Sequence, residues 1–262
     1  MNVVRKLIAL ATLALVSLVG VTAAHAANTA TLNTRFIPDR PGASTTIAFK
    51  VAIHGSGGAP PSPLIGLALH MPSGMEFAES QLGIATCNAV ELAKRGLDAC
   101  PSGSHLGFGT SLVDFEFANE QQEAKAKIAV LLGDAPGEGI PILLYVETRN
   151  PVLAALVFQS RLLGDSGQFS QQLYAPLPLI PTLPAGPDIA IATLNASFGP
   201  EHLLYHRRVH NRLVAFTPRG LSVPRVCPHG GFPMAASLSF ADGTSVTAHS
   251  AVPCPASRAK RR

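Results

Sequence analysis

The chain has 262 residues, with 20 Lys and Arg against 16 Asp and Glu, and it combines 23 Gly and 22 Pro with no Trp at all. Its basic pI comes from the two ends: without Arg5, Lys6, Arg258, Lys260, Arg261 and Arg262, 14 basic residues face 16 acidic ones. No basic stripe for nucleic acid is visible, and three tyrosines without tryptophan disfavour a sugar-binding surface, which relies on aromatic platforms.

Residues 1–26 read as a signal peptide. Arg5 and Lys6 give a positive start, Leu7 to Gly20 is apolar, and Ala24-His25-Ala26 supplies the small-x-small cleavage pattern. The apolar run is too short for a comfortable membrane span, and no second one follows. No Cys lies near the cut and Arg5-Lys6 is not a twin arginine, so ordinary secretion is expected, with Ala27 as the mature N-terminus. The protein is expected to be extracellular or associated with the cell wall.

From there, strand-like runs separated by Gly, Pro, Asn and Asp recur to the C-terminus. They are 30–37, 44–54, 64–71, 107–117, 124–132, 139–147, 152–161, 167–174, 189–198, 213–217, 232–240 and 244–252. One short helix interrupts them. Asn88 with Glu91 three residues on resembles a capping box, Lys94 and Arg95 fall in the last turn, and Gly96 is a stop. Two helical turns do not persist alone in water; a bridge across the ends would substitute for length. All four cysteines, Cys87, Cys100, Cys227 and Cys254, lie in the exported part. Three pairings are open, and closeness in sequence favours Cys87–Cys100 and Cys227–Cys254, each contributing about 3–4 kcal/mol if unstrained. Neither pair has zinc-knuckle spacing.

Two hairpins can be read further. Runs 139–147 and 152–161 flank Thr148-Arg149-Asn150-Pro151, and their near-continuous apolar character predicts burial on both faces. In the last hairpin, a three-residue loop pairs 240 with 244, 238 with 246 and 236 with 248, which keeps one face apolar and asks for Gly243 in the left-handed region. That register puts Cys254 near Gly230, where a side chain would crowd the bridge from Cys227. Five prolines between 175 and 187 read as an extended connection between sheets. The domain organisation expected is a signal peptide (1–26), one all-β domain (27–256) and a basic tail (257–262). The fold class is a single-domain Greek-key β-sandwich with one short disulfide-bracketed helix.

Chemical motifs are few. Gly164-Asp165-Ser166-Gly167 imitates the start of a serine-protease nucleophile motif, but a turn explains it, and the matching Thr22-Ala23-Ala24-His25 leaves with the signal. No catalytic residue is assigned. His54-Gly55-Ser56-Gly57-Gly58 reads as a flexible loop without a nucleophile elbow. His202, His206 and His210 recur every four residues beside Glu201, a spacing at which imidazoles can collect Zn²⁺ or Cu²⁺. Arg207, Arg208 and Arg212 interleave with them and oppose metal uptake. No calcium loop appears, and no cofactor is expected.

Cys100-Pro101-Ser102-Gly103-Ser104-His105-Leu106-Gly107-Phe108-Gly109 resembles the C-P-x-x-S-x-x-G-x-G element of secreted actinobacterial β-proteins that have no assigned function. Leu69-His70-Met71-Pro72-Ser73-Gly74 is similar to their strand ending in Pro-x-Gly, and Phe240-Ala241-Asp242-Gly243-Thr244 with Val252-Pro253-Cys254-Pro255 to their closing hairpin. The likeness spans most of 64–255 and implies membership, not activity. Physically, Gly107 and Gly109 suit a bulged strand start and Pro101 an abrupt helix exit. The function expected is secreted, non-catalytic binding or a structural role at the cell envelope or outside it. Alternatives are a secreted hydrolase and a metal-binding protein through His202, His206 and His210. Arg258, Lys260, Arg261 and Arg262 offer a contact with anionic envelope components.

Overall fold

The structure, a computed structural model, describes residues 28–77, 81–117, 120–151, 153–181 and 188–255. The segment expected to be a signal peptide and the tail carrying Arg258, Lys260, Arg261 and Arg262 lie outside them. The strands are β1 (Thr29–Ile37), β2 (Thr46–His54), β3 (Leu64–Pro72), β4 (Glu76–Phe77), β5 (His105–Phe117), β6 (Glu120–Leu132), β7 (Ile140–Thr148) and β8 (Ala154–Gly164). They continue as β9 (Phe169–Pro176), β10 (Ala190–Phe198), β11 (Tyr205–Val209), β12 (Arg212–Phe216), β13 (Leu221–Ser222), β14 (Phe232–Phe240) and β15 (Ser245–Val252). Each of the twelve predicted runs is found as a strand within a few residues. Among the described residues a single α-helix, α1 (Ala89–Arg95), lies between Cys87 and Cys100.

Eleven strands form one antiparallel sheet in the order β1-β2-β10-β5-β6-β7-β8-β9-β3-β14-β15. The run β5 to β9 is a meander, and β10 returns to lie beside β5, which gives the sheet its Greek-key character. The sheet rolls into a nearly closed, barrel-like sandwich. Because eleven is odd and every neighbour is antiparallel, β1 and β15 run in the same direction where the edges meet. Side chains span this seam: Asn28 donates to Thr244 Oγ1 at 3.2 Å, and Thr34 to Ser250 Oγ at 2.9 Å, both 216 residues apart. That constant offset marks a parallel register.

Strict alternation fills the interior. Leu32 and Phe36, Ile47, Phe49, Val51 and Ile53, Leu67, Leu69 and Met71, and Phe232, Met234, Leu238 and Phe240 all point into one buried cluster. A second cluster lies outside the sheet, where α1 packs Leu92 over Ala129, Leu131, Leu143 and Tyr145. β7 is therefore covered on both faces, by the barrel core and by α1. β8 is covered less completely: α1 also lies against it and Val157 packs on this cluster, but most of the strand is half-buried and Leu153 before it is 78% exposed.

Asn88 caps α1 by accepting from Val90 N at 3.0 Å and Glu91 N at 3.2 Å. Glu91 turns toward Lys94 and Arg95 on the exposed face, where such pairs contribute little. Gly96 ends the helix at φ 70°. Both cysteine pairs are those expected, Cys87–Cys100 and Cys227–Cys254. The last hairpin has the expected register, with Leu238 opposite Val246 and Ala236 opposite Ala248, and Gly243 at φ 82°. Gly230 is needed for a different reason than expected: its φ is 92°, and a side chain there would meet nothing within 4 Å.

The Cys-Pro-x-x-Ser segment is explained by local bonding. Ser104 is fully buried, and its amide and hydroxyl both donate to Pro101 O, at 2.9 and 2.7 Å. The strand that follows starts with a bulge between His105 and Gly107. A Cβ on Gly107 would sit 1.9 Å from Ser197 O, so β10 can approach only a glycine there.

Candidate functional site

On the outer face of β3 and β14, three side chains meet that are far apart in sequence. In β3 the residues Leu67, Leu69 and Met71 face inward, which turns His70 outward; in β14 the inward set leaves Ser237 outward. His70 pairs across the ladder with Ala235, so Ser237 is its diagonal neighbour. The turn between β8 and β9 supplies the third. There Asp165 N donates to Ser170 O at 3.0 Å and Asp165 Oδ1 accepts from Ser166 N at 2.8 Å, which aims Oδ2 at the sheet.

The result is a continuous chain. Asp165 Oδ2 lies 2.6 Å from His70 Nδ1, and His70 Nε2 lies 3.0 Å from Ser237 Oγ. Ser237 Oγ is also 3.3 Å from Thr247 Oγ1 on β15. The Phe169 ring lies against the imidazole, with centroids 5.3 Å apart. The side chains of His70 and Asp165 are only 17% and 13% exposed. With a proton on Nδ1 donating to Asp165, Nε2 is left to accept from the Ser237 hydroxyl, the polarity of a serine nucleophile with its base and orienting carboxylate.

The surroundings differ from those of such a nucleophile. Ser237 is mid-strand, paired with Ala68 on one side and Thr247 on the other; Leu238 is paired with Leu67 and Val246. The backbone N–H groups that would ordinarily stabilise an oxyanion are thus engaged in sheet ladders. His70, Asp165 and Ser237 line none of the three hollows delineated among the described residues. One of these, about 390 Å³, is lined by Glu123, Lys125, Lys127, Glu147 and Arg149 with Leu112 and Asn150. Opposite charges neutralise one another along it, as in the Glu147–Arg149 pair.

The Gly164–Gly167 turn therefore does contribute to a polar site, through Asp165 rather than Ser166. Nothing in its local sequence points to His70 or Ser237; combining the alternation of 64–71 with the register of the last hairpin would have put both on one outer face.

The histidine segment is largely exposed and is ordered as a hairpin. Its latter part is a strand: β11 pairs with β12, Tyr205 opposite Phe216 and Val209 opposite Arg212. His210 and Asn211 form the two-residue turn, with φ 47° and 64°, as a type I′ hairpin requires. His202 lies in the preceding turn beside Glu201, 3.8 Å away and 80% exposed. His206 is mid-strand and His210 at the tip, so the three occupy a turn, a strand and a hairpin end. Among the described residues no group of three or more His, Cys, Asp or Glu converges to hold a metal ion. The signal missed was His-Asn, two residues tolerant of positive φ, between two short β-like runs.

Tyr205 fixes the base of this hairpin. It is fully buried, accepts from Gly83 N at 3.1 Å, donates to His105 O, and packs edge-on against Phe216 at 6.0 Å. Burial pushes its phenol above the usual tyrosine range. Burial also holds His105 below the usual histidine value, with Nδ1 buried and without a hydrogen-bond partner.

No family model, curated protein or solved structure matches this chain. The two disulfides suit an oxidising compartment. No helix among the described residues is long and apolar enough to cross a membrane.

Proposed function

We propose that the chain is a secreted, non-catalytic binding or structural protein of the cell envelope or the extracellular space. The observation that supports this is the position of Ser237. Its hydroxyl is aligned by His70 and Asp165, but it lies mid-strand with its own and the following residue laddered on both sides. In that setting the Asp165–His70–Ser237 chain ties β3, β14 and the β8–β9 turn together, satisfying half-buried polar groups. The leader-like start and the two disulfides fit export. The aliphatic and aromatic packing of the barrel interior fits a rigid scaffold that presents its loops.

The rival reading is a secreted hydrolase, favoured by the 2.6 and 3.0 Å separations in the right order. In it Ser237 is the nucleophile, His70 the base and Asp165 the group that orients it, with Thr247 Oγ1 3.3 Å from the Ser237 hydroxyl. A fluorophosphonate probe separates the two. Non-catalytic binding predicts that the oxidised mature protein and its Ser237→Ala variant label equally, at the level of heat-denatured protein. Labelling of the native protein that disappears in both Ser237→Ala and His70→Ala would establish the hydrolase instead.

A further inference from the structure

The hairpin β11–β12 stands outside the rolled sheet, and its strands pair only with each other. Between Tyr205 and Phe216 it carries Arg207, Arg208 and Arg212 with His206 and His210, and no Asp or Glu. The rest of residues 27–257 then holds eleven basic residues against sixteen acidic ones. The projection thus carries a net charge of +3, whereas the remainder of residues 27–257 carries −5.

The same projection exposes aliphatic side chains, with Leu213 68% exposed and Val209 and Val214 also open to solvent, and Leu204, 55% exposed, lies immediately before it. The three arginines are exposed as well. Tyr205 and Phe216 are occupied at the hairpin base, so no free aromatic platform is offered there. Single-stranded nucleic acid would want such platforms and would gain nothing from four exposed aliphatic groups. An anionic bilayer uses both features together: guanidinium groups pair with lipid phosphates, and aliphatic side chains enter the boundary between headgroups and acyl chains. The acidic remainder of the body, repelled by the same surface, orients the hairpin toward it.

We propose that the hairpin Tyr205–Phe216 docks the protein on anionic lipid surfaces. This rests on the envelope-binding reading above and names its partner.

The test is co-sedimentation of the oxidised mature protein with vesicles of equal parts phosphatidylglycerol and phosphatidylcholine, and with vesicles of phosphatidylcholine alone. Binding is expected only to the anionic vesicles and to weaken with added salt. Each arginine near such a surface contributes roughly a fivefold factor. The triple variant Arg207→Gln, Arg208→Gln, Arg212→Gln should therefore bind on the order of a hundredfold more weakly. Leu213→Ser should lose binding severalfold with its circular dichroism unchanged. A variant ending at Ser257, without the basic tail, should still bind. Undiminished binding by the triple arginine variant, or loss of binding on removing the tail alone, overturns the inference. So does binding to duplex DNA without binding to vesicles. Retention on isolated cell envelopes with no vesicle binding overturns the lipid inference and leaves the envelope reading standing; failure of both removes both.

Discussion

Replacing Tyr205 by Phe tests how the hairpin is held to the barrel. The substitution leaves the ring and its edge-on contact with Phe216 in place and deletes one oxygen. That oxygen accepts from Gly83 N and donates to His105 O. Neither group gains an alternative partner where Tyr205 has no solvent exposure. A buried group stripped of its partner costs about 1–3 kcal/mol. The amide carries more of that cost than the carbonyl, which has a second lone pair, so the sum is roughly 2–3 kcal/mol. For a chain of this size that is a fall in Tm of about 5–10 °C. Calorimetry of the oxidised protein measures it. Native-state hydrogen exchange on the same variant should show the largest acceleration across 206–215, greater than that in β3 and β14. A loss below about 0.5 kcal/mol would refute the reasoning, because it would mean that water or backbone movement satisfies both groups freely.

Non-reducing peptide mapping should recover Cys87 joined to Cys100 and Cys227 joined to Cys254. Loops closed over 13 and 27 residues should make reduction cost about 3 and about 3.6 kcal/mol respectively. Recovery of Cys87 joined to either distant cysteine would break the topology. His105 is held below its ordinary value by burial, so the unfolded chain takes up its proton first. Its contribution to stability is full above about pH 6.5 and is lost as pH falls through that value toward the lower folded one. The fall in Tm between about pH 8 and pH 5.5 should be shallower in His105→Gln than in the native chain; parallel curves would sink the assignment. N-terminal sequencing of protein from the native host should read Ala27-Asn28-Thr29, and an intact Met1 would remove the case for export.

Much of the fold was legible because alternation and turn chemistry act locally. The last hairpin is the clearest instance: face matching and Gly243 alone determined the pairing of Leu238 with Val246. The cap at Asn88 and both disulfides were legible for the same reason, since closeness in sequence decided them. β7 and β8 show the limit. Both are apolar throughout, but whether an outer face is buried depends on where α1 lands, and that is a tertiary matter. The curvature of the sheet, and with it the parallel seam between β1 and β15, is equally non-local.

The polar site was illegible for a related reason. His70, Asp165 and Ser237 are separated by 95 and 167 residues across their two contacts, and each has an ordinary role in its own segment. In sequence Asp165 reads only as part of a turn, and the protease-like motif points to Ser166 as its nucleophile. The hairpin was overlooked because His202, His206 and His210 suggested a ligand set, while the structural signal was the pair His210-Asn211 at positive φ.

The central claim of envelope binding is tested most directly by partition. Oxidised protein spanning residues 27–262 is mixed with envelopes isolated from the native host, sedimented, and quantified in pellet and supernatant. The account predicts recovery in the pellet, saturable and reduced by salt. Protein that stays wholly in the supernatant at low salt would contradict it.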